Sequence, residues 1–169
     1  KRQPELWDAV TGSIRSLPVY TQKEESTLVP LKLAPYESVF VVFRKAASKE
    51  SHSEISNNYP ESIQIEELKG PWEVTFDATR RGPSETVTFT TLQDWTLSPD
   101  DRIKYYSGEA TYSIPFTLPE MNEGERVVID LGSLTAMAKV SINGTYAGGA
   151  WTPPYRLDIT EQVQQGENK

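Results

Sequence analysis

The sequence predicts an all-β protein: a β-sandwich or jelly roll preceded by part of another β-domain. Three observations lead there. Short runs of alternating or β-branched residues recur along the chain, and Gly, Pro and Asn/Asp clusters separate them. No sustained apolar stripe of helical period occurs. Four Trp and eight Tyr among 169 residues suit such a fold, since aromatic side chains pack well on a pleated surface.

Taken in order, strands are expected at Glu5–Ala9, Ser13–Tyr20, Thr27–Leu33 and Ser38–Arg44, with breaks at Thr11-Gly12, Gln22–Ser26 and Ala34-Pro35-Tyr36-Glu37. The unbroken apolar run from Val39 to Phe43 has the pattern of a strand buried on both faces. Residues 1–46 therefore read as the tail of a preceding β-rich domain. From Lys45 to Glu54 the chain turns polar, small and charged, so 47–60 reads as a linker or exposed loop. His52 falls inside it and reads as a solvated linker residue rather than a catalytic one.

A second β-rich unit covers 61–169. Its expected strands are Ser62–Leu68, Trp72–Phe76, Glu85–Thr91, Ala110–Thr117, Arg126–Leu131, Met137–Ile142 and Thr145–Ala147. Gly70-Pro71, Arg81-Gly82-Pro83, Ser98-Pro99-Asp100-Asp101 and Asn122-Glu123-Gly124 supply the turns. Trp72, Val74 and Phe76 share one strand face and are expected in the core. One short helical turn is expected after Asp158-Ile159-Thr160, with Thr160 as its N-cap. Gly166-Glu167-Asn168-Lys169 has turn chemistry that a strand should follow, so the chain reads as a segment of a longer protein, truncated at the last strand of this module.

Composition narrows the function. Seventeen basic against 24 acidic residues give a net charge of −7, which argues against nucleic acid and anionic membrane as partners. No apolar run approaches the ~20 residues of a spanning helix. Zero cysteines and a single histidine leave no disulfide framework, no multi-histidine zinc site and no basis for a histidine-centred triad. No cofactor or metal is implied, and Asp100-Asp101 alone falls well short of a calcium site.

The most informative stretch runs from Lys139 to Tyr155. Val140 and Ile142 alternate with Lys139 and Ser141, and Asn143-Gly144 follows, the preferred pair for a type I′ hairpin because both turn residues need positive φ. The return strand soon reaches Gly148-Gly149-Ala150-Trp151-Thr152-Pro153-Pro154. Such an aromatic face beside small residues could stack on a sugar ring, and it could equally plug the end of a sandwich. Asn143-Gly144-Thr145 also matches a glycosylation acceptor, but the hairpin turn accounts for the same residues.

Several spans, taken in order, carry a family resemblance: Gly70-Pro71-Trp72-Glu73-Val74-Thr75-Phe76, Asp94-Trp95, Tyr105 to Tyr112, Val128-Ile129-Asp130-Leu131-Gly132, Val140 to Gly148, Asp158-Ile159-Thr160 and Gly166-Glu167-Asn168. The set resembles the sugar-binding, galactose-binding-like jelly-roll domain of glycoside hydrolase family 2 enzymes over residues 61–169. Leu6-Trp7-Asp8, Thr11-Gly12, Val29-Pro30-Leu31 and Phe40 to Arg44 look like the β-region before that module in bacterial rhamnosidase-like proteins of glycoside hydrolase family 106. The resemblance implies a C-terminal piece of a periplasmic or secreted bacterial enzyme that acts on complex, rhamnose-containing glycans. It also implies an upstream catalytic domain that carries the paired carboxylates. Carboxylates in this chain, among them Glu66, Glu67, Asp94, Asp100, Asp101, Glu109 and Asp130, read as solvated faces and turn caps, and no catalytic residue is assigned.

The expected function is thus a non-catalytic carbohydrate-binding or accessory module. Trp151, Tyr155 and Arg156 are the candidate binding residues: the indole for stacking, the phenol and guanidinium for hydroxyls or a uronate carboxylate. The alternative is a purely structural sandwich that packs against the catalytic barrel and binds no sugar. A Trp151 exposed beside a groove favours the first, and a Trp151 buried at an interface favours the second. Trp95 is expected to pack, and Tyr105-Tyr106 to place one ring inside and one outside.

Overall fold

Every strand pairing in the computed structural model is antiparallel, and the fold class is all-β, as the alternation predicts. The described residues are 1–35, 37–47, 57–59 and 61–169. They divide into two units, Lys1–Ile63 and Gln64–Lys169. Of the stretch expected as a linker, 48–56 and 60 lie outside the described residues, His52 among them.

In the first unit β1 (Arg2–Trp7) is the centre of a three-stranded sheet, flanked by β2 (Ile14–Ser16) and β5 (Phe40–Ala46), while β3 (Thr21–Gln22) and β4 (Thr27–Leu28) form a small hairpin. Central placement buries Pro4, Glu5 and Leu6 of β1. The run expected to be buried on both faces is instead the edge strand β5, with Phe40 62% exposed. Among the described residues only β1 pairs with it, which leaves its other edge open. Asn58 is buried in this unit. Its amide donates to the Val19 and Pro30 carbonyls at 2.7 and 3.2 Å, and its Oδ1 accepts from the Val19 N–H at 2.8 Å.

In the second unit β6 (Trp72–Phe76) pairs with β7 (Val87–Phe89) and β8 (Ala110–Ser113). Val74, Phe76, Phe89 and Ile103 form a buried cluster against which Trp72, Trp95, Tyr106 and Tyr112 pack. Trp72 and its register mates thus face the core as expected. Between β7 and β8 a short helix α1 (Asp101–Lys104) replaces the expected turn. The Asp100 carboxylate caps it by accepting from the Arg102 N–H at 2.8 Å.

The remaining strands are β9 (Phe116–Leu118), β10 (Val128–Asp130), β11 (Ala138–Ile142), β12 (Thr145–Ala150), β13 (Arg156–Asp158) and β14 (Gly166–Asn168). They pair as β9/β14, β10/β13 and β11/β12, and a second buried cluster is built on Leu118, Val140 and Ile142 of these strands with Val127 and Ile159 from just outside β10 and β13. Each such fully buried aliphatic side chain contributes about 1.5–3 kcal/mol.

Four expectations are corrected by the structure. The strand expected over Ala110–Thr117 is two strands in different sheets, because Pro115 has no N–H for a ladder. Ser62–Leu68 forms no strand, and Ile63 and Ile65 are 85% and 52% exposed. Gly166 supplies the expected turn at φ 87° but also opens β14, paired with β9. The turn after Asp158 is present. Asp158, not Thr160, caps it, accepting from the Thr160 N–H and hydroxyl at 3.1 and 2.7 Å, while the Thr160 hydroxyl accepts from the Val127 N–H at 2.9 Å.

Candidate functional site

The hairpin β11–β12 turns at Asn143 (φ 53°) and Gly144 (φ 80°), the two positive-φ residues its sequence calls for. The Asn143 side chain is fully used: its amide donates to the Gln162 carbonyl and Asn168 Oδ1, and its Oδ1 accepts from the Lys169 N–H. Past the turn, Ser141 faces Tyr146 but Val140 faces Gly148, so Ala147 is an extra residue, a β-bulge. Ala147 packs on the second cluster, and a Cβ on Gly148 would already meet the Leu157 side chain at 3.2 Å. The alternation therefore slips by one. Ala150 is buried, and Gly149 and Trp151 face outward with Tyr146, Trp151 being 57% and Tyr146 61% exposed.

Gly149 brings these rings together. A Cβ placed there would stand 3.3 Å from the Tyr146 hydroxyl and 4.0 Å from Cε3 of Trp151. Lys139 of β11 lies directly opposite Gly149 in the ladder, and its ammonium is 4.0 Å from a Glu109 carboxylate oxygen, both side chains well exposed. Sequence reasoning did not place Tyr146 on this face. Strict alternation puts it on the face opposite Trp151.

The other two candidates sit beyond the Pro153-Pro154 pair. Tyr155 is half-buried, and its carbonyl accepts from the Leu131 N–H at 2.8 Å. Arg156 opens β13 and is 58% exposed; its Nε donates to Asp130 Oδ2 at 2.7 Å. The Gly132 N–H, and then Arg156, hold the Asp130 carboxyl below its usual range. Arg156 is thus already engaged in part by a neighbouring carboxylate.

Trp95 packs on the first cluster of the second unit, as expected, and its indole N–H donates to the Tyr112 hydroxyl at 2.6 Å. Tyr106 is inside, donating to the Glu109 carbonyl and accepting from the Asp77 N–H, while Tyr105 is 74% exposed. The helix end at α1, not an extended backbone, separates them. Asp100 is bound by the Arg102 guanidinium as well as capping α1, and Asp94 is held by the Thr96 N–H and hydroxyl. Those contacts lower both carboxyl pKa values, Arg102 acting chiefly on Asp100 and the Thr96 N–H chiefly on Asp94.

An open groove of about 530 Å³ lies elsewhere in this unit, lined by Glu66, Phe116, Thr117, Asn143, Glu167 and Lys169 among others. Trp151 does not line it. Its two carboxylates, Glu66 and Glu167, are exposed, unlike a glycosidase's general acid, whose pKa is raised by burial. Among the described residues no group of three or more His, Cys, Asp or Glu could hold a metal ion, and no helix is long and apolar enough to cross a membrane.

No family model matches the chain. It is similar to a solved rhamnosidase from Novosphingobium sp. PP1Y, with 39% identity and a TM-score of 0.87 over 99% of this chain and 16% of that one. It is also 37% identical over 109 residues to a Formosa agariphila protein named "Putative beta-glucuronidase", a match that covers 60% of this chain and 9% of that protein. The likeness is to segments of much longer proteins named for glycoside hydrolysis, of whose length this chain spans less than a fifth.

Proposed function

We propose that the chain is a non-catalytic accessory β-sandwich of a glycoside hydrolase, and that it binds carbohydrate on an aromatic surface centred on Trp151. The observation that carries this reading is the 57% exposure of a tryptophan at the end of a strand whose neighbouring residue, Ala150, is buried. An indole face in that position offers apolar area to the C–H face of a pyranose and an N–H to its hydroxyls. The module is taken as residues 61–169, of galactose-binding-like jelly-roll type, following a β-domain tail at 1–46. The likeness to a rhamnosidase over nearly the whole chain supports a parent of the family 106 kind, a periplasmic or secreted enzyme that acts on complex, rhamnose-containing glycans and carries its catalytic domain upstream. Among the described residues every carboxylate with a shifted pKa is pushed downward. That direction suits ion pairs and turn caps rather than general acids.

A structural reading has its own support. Met137 is 82% exposed immediately before β11, and an apolar face of Met137 and Trp151 also suits burial against a catalytic barrel. The test is a tryptophan-fluorescence titration of the 169-residue chain with mono- and oligosaccharides, rhamnose- and galacturonate-containing ones included, with Trp151→Ala in parallel. Saturable change that vanishes in the variant establishes binding at Trp151. A flat response from folded protein assigns the surface to packing.

A further inference from the structure

We propose that the binding surface is a strip rather than a single platform, and that it takes an oligosaccharide of two or more pyranose units laid along β12. This rests on the carbohydrate-binding reading and deepens it. Tyr146 and Trp151 are five residues apart, which in an unbroken strand places them on opposite faces. The extra residue at Ala147 cancels that parity, so both rings face outward with Gly149 between them. The glycine leaves space that the Tyr146 hydroxyl partly fills, and the edge of the Trp151 ring closes the far side. The result is a continuous aromatic surface.

Its length sets the ligand class. Tyr146 pairs with Ser141, and Ala150 with Ala138, so Trp151 stands one step past Ala138. That is four ladder steps, about 13 Å of strand at ~3.3 Å per residue, longer than one pyranose ring. Both rings are more than half exposed and both carry a polar tip, the Tyr hydroxyl and the Trp N–H. Alongside runs a polar row on β11, Lys139 and Ser141, exposed on the same face and facing Gly149 and Tyr146 in the ladder. Rings to stack on, flanked by donors for hydroxyls, suit a chain of sugars better than a flat apolar partner.

The test is the length dependence of binding. Rhamnose, and rhamnose- and galacturonate-containing di-, tri- and tetrasaccharides, would be titrated against the full chain and followed by tryptophan fluorescence and calorimetry. Affinity should rise at least tenfold from one unit to three. Tyr146→Ala should lower trisaccharide affinity at least fivefold, and Gly149→Val should act likewise by filling the space between the rings. Gly149 has no positive φ to lose and Tyr146 is exposed; far-UV circular dichroism checks that both variants fold. Length-independent affinity, or a Tyr146→Ala variant that binds the trisaccharide like the parent, overturns the strip and leaves a single Trp151 site standing. Absence of binding to any of these sugars removes the carbohydrate reading and the strip with it.

Discussion

Gly82 stands in an Arg-Gly-Pro turn where a positive φ would ordinarily explain a glycine, yet Arg81 carries the positive angle, 69°. Gly82 is required for proximity. A Cβ there would lie 2.6 Å from Phe76 Cβ, 2.9 Å from Tyr106 Cε2 and 3.1 Å from the Asp77 carbonyl oxygen. Carbon pairs rest at about 3.5–4.0 Å, so the first contact is roughly 1 Å too close. Neither neighbour yields easily. Phe76 Cβ is one bond from a backbone laddered to β8 at Ala110, and Tyr106 is held by hydrogen bonds of 2.8 and 3.1 Å to Glu109 and Asp77. Overpacking costs about 1–3 kcal/mol, and loosening the Tyr106 hydroxyl adds about 1 kcal/mol. Gly82→Ala should therefore destabilise the second unit by about 2–4 kcal/mol. Urea unfolding followed by circular dichroism measures it as a fall in midpoint with unchanged slope, and each kcal/mol should lower Tm by about 4–8 °C. Arg81→Gly is the contrast: it relieves a left-handed non-glycine residue that costs about 1–2 kcal/mol, and it should be neutral or stabilising. A Gly82→Ala variant within about 0.5 kcal/mol of the parent would falsify the proximity argument, that interval being the ordinary range of surface substitutions.

Three further outcomes follow from other contacts. Lys45 and then Arg44 hold the buried Glu5 carboxyl at about 2, against 4.5 for the free group. A depressed folded-state pKa stabilises above the unfolded value, so stability of the first unit should fall as pH drops from about 4.5 to about 2. In Glu5→Gln that pH dependence should flatten, with lower Tm at pH 7, as paired pH-scanned melts would read. Trp95→Phe removes the donor to Tyr112, and should cost about 1–3 kcal/mol. Burial raises the Tyr112 pKa and the Trp95 bond opposes it, so ultraviolet titration of the variant should show a phenol that ionises at still higher pH. Arg156→Gln breaks an ion pair whose side chains are 58% and 48% exposed. It should change stability by less than about 1 kcal/mol in chemical denaturation, and a larger loss would mean that Arg156 supports the β10–β13 pair.

Much of the fold was legible because its signals are local. Asn143-Gly144 specifies its own turn, and the Trp72/Val74/Phe76 alternation specifies its own face, so both emerge where the residues place them. Signals that depend on neighbours were not legible. The apolar run of β5 resembles a central strand, but whether a second strand lies beside it is decided by the chain's path, and among the described residues only β1 pairs with it. Asp100 illustrates a third kind of limit. One carboxylate followed by Asp-Arg is as good a turn as a helix cap, and only Ile103 docking into the cluster of Val74 and Phe76 selects the helix.

The candidate site shows the same division more sharply. Trp151 stands out as a candidate through its company of glycines and prolines, yet the ring that shares its face does not, because parity along a strand is a counting argument and one inserted residue reverses it. Gly148 is a local hint of a bulge, since a glycine within a strand pattern often marks one and its φ is 149°, but the sequence does not say which residue is the extra one. The second cluster decides. Ala147 and Gly148 both turn toward it, the first packing on its apolar residues and the second lying against Leu157. A residue larger than alanine at 147, or any Cβ at 148, would crowd that face and favour a return to strict alternation, with Trp151 turned inward. The small residues before Trp151 thus matter less as an open floor for a ligand than as the condition that points the tryptophan outward at all.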